Sequence, residues 1–324
     1  MSKKNEDHEL FKIVHNPSDG TITLLRKPDP HSPPQSDPTL PIPVLSKDLT
    51  INPKNNTSLR LFLPRNALTH DNNNKLPLIV FFHPSGFILM SAATTVFHNF
   101  CLQMADNLAA LVASVDYRLA PEHRLPAAYH DAMEALHFIK ASNDEWLTKH
   151  VDYSTCYLMG SSSGANIAYH AGLRAASDHD LDLKPLKIKG LILRQVACGG
   201  TKRTESELRL EKDPILPLSD ADLMWELALP VGVDRDHEYS NLTVGDGGRL
   251  LEKVRDQGWR VLVSGSGGDP LVDRNVELVK LMKEKGVCVV SDFEDDYGVH
   301  GVEFRHSYKA MQLFALLKTF ISHS

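Results

Sequence analysis

Residues 157–164 read YLMGSSSG, an apolar run that leads directly into a Gly-x-Ser-x-Gly sequence centred on Ser162. Residues 165–171, ANIAYHA, continue in a pattern compatible with a helix. A strand, a tight turn and a helix in this order form a nucleophile elbow, a strained turn that presents its central serine at the end of a strand. The flanking glycines suit such a turn because it brings neighbouring backbone segments close together. We therefore predict that Ser162 is a nucleophile; the alternative is a serine-rich turn that caps a helix.

Around this turn the chain alternates between strand-like and helix-like segments. Apolar and β-branched runs predict seven strands, at residues 58–63, 78–82, 110–115, 156–159, 188–193, 260–263 and 287–291. Helical spacing of apolar residues predicts helices at about 95–108, 127–140, 163–176, 273–285 and 307–321. Several strands are apolar throughout, as expected for strands buried on both faces. The pattern predicts an α/β fold with a mostly parallel central sheet and helices on both faces.

Three segments lie outside this alternation. Residues 27–43 hold many prolines, which favours an extended connector over a helix. They separate residues 1–26 from the main body. Residues 199–249 are charged but carry several leucines, and we interpret them as an insertion over the edge of the sheet. Both outlying segments contain large apolar residues, namely Phe11, Ile13, Leu223 and Trp225.

A serine nucleophile needs a general base and a carboxylate that orients the base. In folds with this elbow the chain order is serine, acid, histidine. Asp269 follows a glycine-rich turn after a late predicted strand, and His300 lies between small residues after the last one. We predict these two as the acid and the base. The alternatives are a helix cap for Asp269 and an exposed loop position for His300, with Asp273 and His306 as the nearest rivals.

Three further motifs carry a family resemblance. Residues 82–87 read FHPSGF after a predicted strand, residues 116–123 read DYRLAPEH, and residues 268–274 read GDPLVDR. With the elbow, these motifs make the chain resemble the plant carboxylesterases, in the hormone-sensitive-lipase-like branch of the α/β-hydrolases. The resemblance extends over essentially the whole chain.

The resemblance implies one α/β-hydrolase domain over residues 1–324, with a cap built from residues 1–26 and 199–249. We expect this cap to cover the mouth above the nucleophile. Motif by motif, the family's catalytic triad falls on Ser162, His300 and Asp269. Because relatives reuse this scaffold for other reactions, the fold alone does not determine the chemistry.

The sequence departs from the family pattern at three places. The loop that is usually His-Gly-Gly-Gly is here His-Pro-Ser-Gly, at residues 83–86. Ser161 stands where the elbow usually has an acid, and Ala165 replaces its last glycine. Residues 194–198 read RQVAC where aromatic residues and proline are common.

These changes leave an oxyanion hole possible. Pro84 has no N–H group, but in the family the donors are the second and third glycines of the loop. Ser85 and Gly86 occupy those positions. We predict that their N–H groups, with that of Ser163, stabilise the oxyanion.

Composition and residue spacing limit the partners, cofactors and cellular location that the protein can have. The 41 acidic and 35 basic residues give a net charge of −6, which argues against a nucleic-acid or anionic-lipid partner. The longest apolar runs fall far short of the ~20 residues of a membrane span. The charged N-terminus and four widely separated cysteines predict a cytoplasmic protein with reduced thiols. We find no spacing that indicates a metal site or a dinucleotide cofactor.

The sequence therefore predicts a cytoplasmic serine carboxylesterase that hydrolyses small acyl esters through an acyl-enzyme. A lyase or cyclase of specialised metabolism is the main alternative, since the altered loop could serve another reaction. A small-molecule receptor like the gibberellin receptors is a third possibility. In those receptors the catalytic histidine position is changed, so His300 argues against it.

Overall fold

The computed structural model describes residues 6–7, 11–15, 22–69, 75–178, 182–295 and 298–323. The strands are β1 (Glu6–Asp7), β2 (Phe11–His15), β3 (Ile22–Arg26), β4 (Val44–Asn52), β5 (Thr57–Pro64), β6 (Leu76–Phe82), β7 (Leu111–Asp116), β8 (Val151–Ser161), β9 (Ile188–Arg194), β10 (Arg260–Ser266) and β11 (Cys288–Asp295). The helices are α1 (Asn66–Thr69), α2 (Thr95–Leu108), α3 (Ala127–Ala141), α4 (Glu145–His150), α5 (Ser163–Ser177), α6 (Glu205–Arg209), α7 (Leu218–Ala228), α8 (Gly247–Asp256), α9 (Val272–Glu284) and α10 (Ser307–Ser322), with a 3₁₀ turn at Val302–Phe304.

Eight strands form the central sheet, in the order β11-β10-β9-β8-β6-β7-β5-β4. The pairs from β11 to β7 are parallel. The pairs β7/β5 and β5/β4 are antiparallel. Strands β1 to β3 form a separate antiparallel sheet. Because parallel strands end at the same edge, the loops after β6, β8, β9, β10 and β11 gather there, where ligands bind in open α/β sheets.

Alternate residues of β6 show how the sheet separates two apolar cores. Leu78, Val80 and Phe82 pack into the core formed with α3, α5, α8 and α9. Ile79 and Phe81 point the other way, into the core formed with α2 and α10. All five are completely buried. The predicted mostly parallel sheet with helices on both faces is confirmed.

All seven predicted strands and all five predicted helices are present. The largest difference is at β8, which begins at Val151 instead of residue 156. The sequence did not predict the strands β1 to β4 or the helices α1, α4, α6, α7 and α8. Strand β4 is an edge strand whose second half alternates between half-buried and exposed residues, so its apolar signal is weak.

The two segments outside the alternation contain their own elements. Residues 199–249 hold α6 and α7, and the last three residues of that range are the first turn of α8, which packs against α5. Within residues 1–26, Leu24 is buried, whereas the side chains of Phe11 and Ile13 lie outside the described part of the chain. None of the helices in the described ranges has the length and apolar character needed to cross a membrane.

Candidate active site

The chain turns sharply at Ser162, between β8 and α5, where the φ angle of +53° is in the left-handed region. Two glycines make room for this turn. A Cβ atom on Gly160 would lie 2.1 Å from the backbone of Gly164, and one on Gly164 would lie 1.9 Å from the carbonyl oxygen of Phe82. The Ser162 side chain makes no capping hydrogen bond to α5, so its hydroxyl is not used to cap the helix.

The structure brings Asp269 and His300 to Ser162. The Nε2 atom of His300 lies 3.0 Å from the Ser162 hydroxyl, and its Nδ1 atom lies 2.9 Å from Oδ2 of Asp269. The second carboxylate oxygen of Asp269 accepts a hydrogen bond from the backbone N–H of Leu271 at 2.9 Å. All three side chains are largely buried. A hydroxyl, an imidazole and a carboxylate connected in this way can move a proton from serine to histidine.

Electrostatics favour a basic imidazole at His300. Burial lowers the pKa of His300, but the charge of Asp269 and the hydrogen bond to it raise that pKa, as do the charges of Glu303 and Asp213. The net result is a pKa above the ordinary value of 6.5. The neutral imidazole is therefore a stronger base than a free histidine side chain.

The rival residues lie elsewhere. Asp273 accepts a hydrogen bond from the backbone N–H of Ser206 at 2.8 Å. His306 is exposed immediately before α10. Helix α9 begins at Val272, and Asp269 is not its N-cap residue.

The loop after β6 forms a tight turn beside Ser162. Three successive residues have left-handed φ angles, +103° at Ser85, +64° at Gly86 and +67° at Phe87. The Ser85 carbonyl accepts hydrogen bonds from the N–H groups of Ile88 and Leu89, each at 3.2 Å. Two of the three residues carry side chains, so the backbone is strained at this point.

Neighbouring side chains support this loop. The Tyr117 hydroxyl, from the DYRLAPEH segment, donates a hydrogen bond to the His83 carbonyl at 2.8 Å, and the two rings stack with centroids 4.3 Å apart. Met224 of α7 lies over the turn. A Cβ atom on Gly86 would be only 2.3 Å from the Met224 sulfur, so a side chain at this position would have to displace Met224.

A cavity of about 310 Å³ opens above Ser162 and His300. Its walls are mainly apolar and come from Leu89, Met90, Val96, Phe97, Ile215, Leu216, Met224 and Phe304. Ile215, Leu216 and Met224 lie within residues 199–249. Trp225 does not line this cavity; it packs against Phe87, with ring centroids 5.4 Å apart. Among the described residues, no cluster of three or more histidine, cysteine, aspartate and glutamate side chains is placed to hold a metal ion.

The sequence did not predict a buried hydrogen bond made by the residue next to the nucleophile. The Ser161 hydroxyl donates a hydrogen bond to Oε1 of Glu303 at 2.8 Å, and Arg194 lies 3.5 Å from the other carboxylate oxygen. Ser161 is the position where the family usually has an acid. Here the carboxylate comes from Glu303 instead, after the His300 loop. The unusual residues Ser161 and Arg194 were the sequence signal for this contact.

Comparison with known proteins identifies the fold family of this chain. The family model for the alpha/beta hydrolase fold matches residues 79–302. An esterase of known structure from Pyrobaculum calidifontis superposes with a TM-score of 0.70 at 25% identity, and the match covers 87% of each chain. These matches confirm the α/β-hydrolase fold predicted from the sequence.

Curated relatives then define the branch. The chain is 48% identical to Carboxylesterase 20 of Arabidopsis thaliana, over 98% of this chain and 96% of that protein. It is 44% identical to the 3-O-acetylpapaveroxine carboxylesterase CXE2 of Papaver somniferum, over 92% of this chain and 93% of that protein. The chain belongs to the plant carboxylesterase family of α/β-hydrolases, as its motifs predict.

Proposed function

We propose that this protein is a serine carboxylesterase that hydrolyses small acyl esters. The observation that carries the proposal is the chain of hydrogen bonds from Ser162 through His300 to Asp269 at the base of an apolar cavity. Family membership supports the same activity, because the relatives named above are carboxylesterases.

In the proposed mechanism, His300 Nε2 removes the proton from the Ser162 hydroxyl as its oxygen attacks the ester carbonyl. The tetrahedral intermediate collapses when His300 returns that proton to the departing alcohol, which leaves an acyl group on Ser162. A water molecule, deprotonated by the same imidazole, then attacks the acyl carbon. The bond from that carbon to the Ser162 oxygen breaks as His300 returns the proton to this oxygen, which releases the acid and restores the enzyme. Asp269 holds the imidazole in position and stabilises its protonated form.

The proposed oxyanion donors are the backbone N–H groups of Ser85, Gly86 and Ser163. Ser85 and Gly86 line the cavity beside Ser162, and Ser163 begins α5 directly after it. Pro84 supplies no donor, but the family pattern does not require one at its position. Donors of this kind act on the charge that develops during attack, and each contributes about 3 kcal/mol to the transition state.

The size of the cavity favours ester substrates with a short acyl group. Its volume of about 310 Å³ is at the small end of the range for small-molecule sites. The name of the poppy relative specifies an acetyl ester.

We also propose that residues 1–26 and 199–249 form the cap of a single domain over residues 1–324. Four free cysteines support a cytoplasmic location.

A lyase or cyclase is the second candidate, favoured by Pro84 and Ser85 in place of two loop glycines. A receptor is disfavoured because His300 is retained in contact with Ser162.

The test of the proposed esterase activity is hydrolysis of nitrophenyl esters from acetyl to lauroyl by the purified protein. We expect measurable turnover that is fastest for acetyl and butyryl esters. A folded protein with no ester turnover would overturn the proposal in favour of the second candidate.

A further inference from the structure

The segment that follows β9 lies between the two strands that carry the candidate nucleophile and acid. In the sheet order, β9 has β8 on one side and β10 on the other. Residues 194–197, which are the last residue of β9 and the three that follow it, lie at the edge of the sheet where Ser162, Asp269 and His300 meet. This is the stretch in which the sequence departs from the family's usual aromatic residues and proline.

This segment holds the backbone of Ser162 from both sides. The Ser162 N–H group donates a hydrogen bond to the Arg194 carbonyl at 2.9 Å. The Ser162 carbonyl accepts one from the Ala197 N–H group at 3.0 Å. The elbow serine is therefore fixed to the end of β9 as well as to its own strand and helix.

The Gln195 side chain holds the loop that carries His300. Its Nε2 atom donates a hydrogen bond to the Val299 carbonyl at 3.1 Å, and its Oε1 atom accepts one from the Gly301 N–H group at 2.8 Å. Val299 and Gly301 are the two neighbours of His300 in the chain. One completely buried amide thus fixes the backbone on both sides of the candidate base.

A third set of contacts reaches the loop that carries Asp269. The Asn275 side chain accepts a hydrogen bond from the Val196 N–H group at 2.8 Å and donates to the Val196 carbonyl at 3.0 Å. The same side chain donates to the Leu271 carbonyl at 2.9 Å. Leu271 in turn donates its N–H to Asp269. The short segment after β9 is therefore connected to all three parts of the triad.

The backbone of Gln195 has a conformation that disfavours a long side chain. Its φ angle of +46° lies in the left-handed region, which a long side chain adopts at a cost and which glycine or asparagine adopts more readily. The backbone alone would favour one of those residues. Strained positions of this kind persist where the surrounding structure demands them and are common at active sites.

We propose that Gln195 is a positioning residue that sets the distance between His300 and Ser162 by holding the His300 loop against the end of β9. The proposal rests on the proposed esterase function. A small displacement of the base from its nucleophile lowers the rate of the chemical step far more than it weakens substrate binding.

The test uses two substitutions that remove both side-chain hydrogen bonds in different ways. Gln195→Gly relieves the left-handed φ angle, and Gln195→Met keeps the volume of the side chain. A suitable control is Asn56→Gly, because Asn56 has a φ of +53° in an exposed turn between β4 and β5. For each variant, thermal unfolding is measured together with kcat and KM for nitrophenyl acetate.

For Gln195→Gly we expect kcat reduced at least about tenfold and KM within about twofold. The melting temperature should fall as well, because the Val299 carbonyl and the Gly301 N–H group lose their buried partner. Gln195→Met should show the same division between kcat and KM, and Asn56→Gly should match the parent. A residue with only a structural role would lower the melting temperature without this selective loss of kcat.

Two other results would overturn the proposal. If the parent is active and a folded variant, glycine or methionine, retains kcat within twofold, Gln195 does not position His300. If the parent itself has no esterase activity, the proposed function fails, and this inference fails with it. The activity of the parent therefore separates the two failures.

Discussion

The Ser161 hydroxyl donates a 2.8 Å hydrogen bond to the carboxylate of Glu303, directly beside the candidate nucleophile. Glu303 is almost fully buried, and its charge is one of the influences that raise the pKa of His300. Arg194 provides the nearby positive charge. This contact links the residue before Ser162 to the segment after His300, so it couples two parts of the site that are far apart in sequence.

Replacing Glu303 by glutamine should move the pH profile of esterase activity. The raised pKa of His300 keeps the imidazole protonated to higher pH, and only the neutral form can act as a base. Glu303→Gln removes one nearby negative charge, so the pKa of His300 falls. The acid limb of the profile of kcat/KM against pH should then move to lower pH. Glu145→Gln, at an exposed remote position, is the control and should leave the profile unchanged.

The same substitution should also reduce stability. It leaves Arg194 without its buried counter-charge, which costs about 3 kcal/mol of unfolding free energy when one partner of a buried pair is removed. Denaturant unfolding measures this loss. An acid limb that stays in place, or that moves to higher pH, would show that Glu303 does not tune His300.

The loop after β6 gives a second prediction. Pro84→Gly combined with Ser85→Gly restores the usual family sequence. Because Ser85 already forms the turn, with its carbonyl bonded to the N–H groups of Ile88 and Leu89, hydrolysis of nitrophenyl acetate should stay within a few-fold of the parent. A gain of tenfold or more, equivalent to about 1.4 kcal/mol of transition-state stabilisation, would instead support the lyase or cyclase alternative.

Arg26 gives a third prediction because it connects β3 to this loop. Its guanidinium donates hydrogen bonds to the carbonyls of Ile88 and Ala120 and pairs with Glu122. Arg26→Ala should lower the thermal stability of the protein and change its preference among nitrophenyl esters of different chain length. Thr23→Ala, at an exposed position of β3, should do neither.

This experiment also tests the proposed cap, and it changes one side chain where a truncation would remove residues 1–26. If Arg26→Ala is as stable as the parent and has the same ester preference, the N-terminal segment does not shape the site. A truncation lacking residues 1–26 should then also show the parent's preference.

The sequence predicted the elements that position the site better than the contacts within it. Strands such as Leu76–Phe82 are buried on both faces, and their apolar runs are visible in the sequence. Helices α6 and α7 are short, and their charged residues obscure the apolar pattern. Chain order left Asp273 and His306 as rivals, and position after the late strands favoured Asp269 and His300, which lie within hydrogen-bond distance of each other and of Ser162 in the structure.

The partners of Gln195 and Glu303 could not be predicted in the same way. Gln195 contacts residues more than 100 positions away, and Glu303 contacts Ser161 across 142 positions. Contacts of that range depend on the strand order of the sheet, in which β9 separates β8 from β10. Local sequence patterns do not contain that order, although the unusual residues at 161 and 194–198 marked where the contacts are.

The most direct test of Ser162 as the nucleophile is the rate of nitrophenyl acetate hydrolysis by Ser162→Ala compared with the parent. The control is Ser177→Ala, which removes a serine hydroxyl at the far end of the same helix, where it bonds to the Leu173 carbonyl. If Ser162 is the nucleophile, no other group can form the acyl-enzyme. The rate of Ser162→Ala should then fall to no more than about 10⁴-fold above the uncatalysed background. Ser177→Ala should retain the parent rate. A folded Ser162→Ala protein that keeps a tenth or more of the parent rate would show that Ser162 is not the nucleophile.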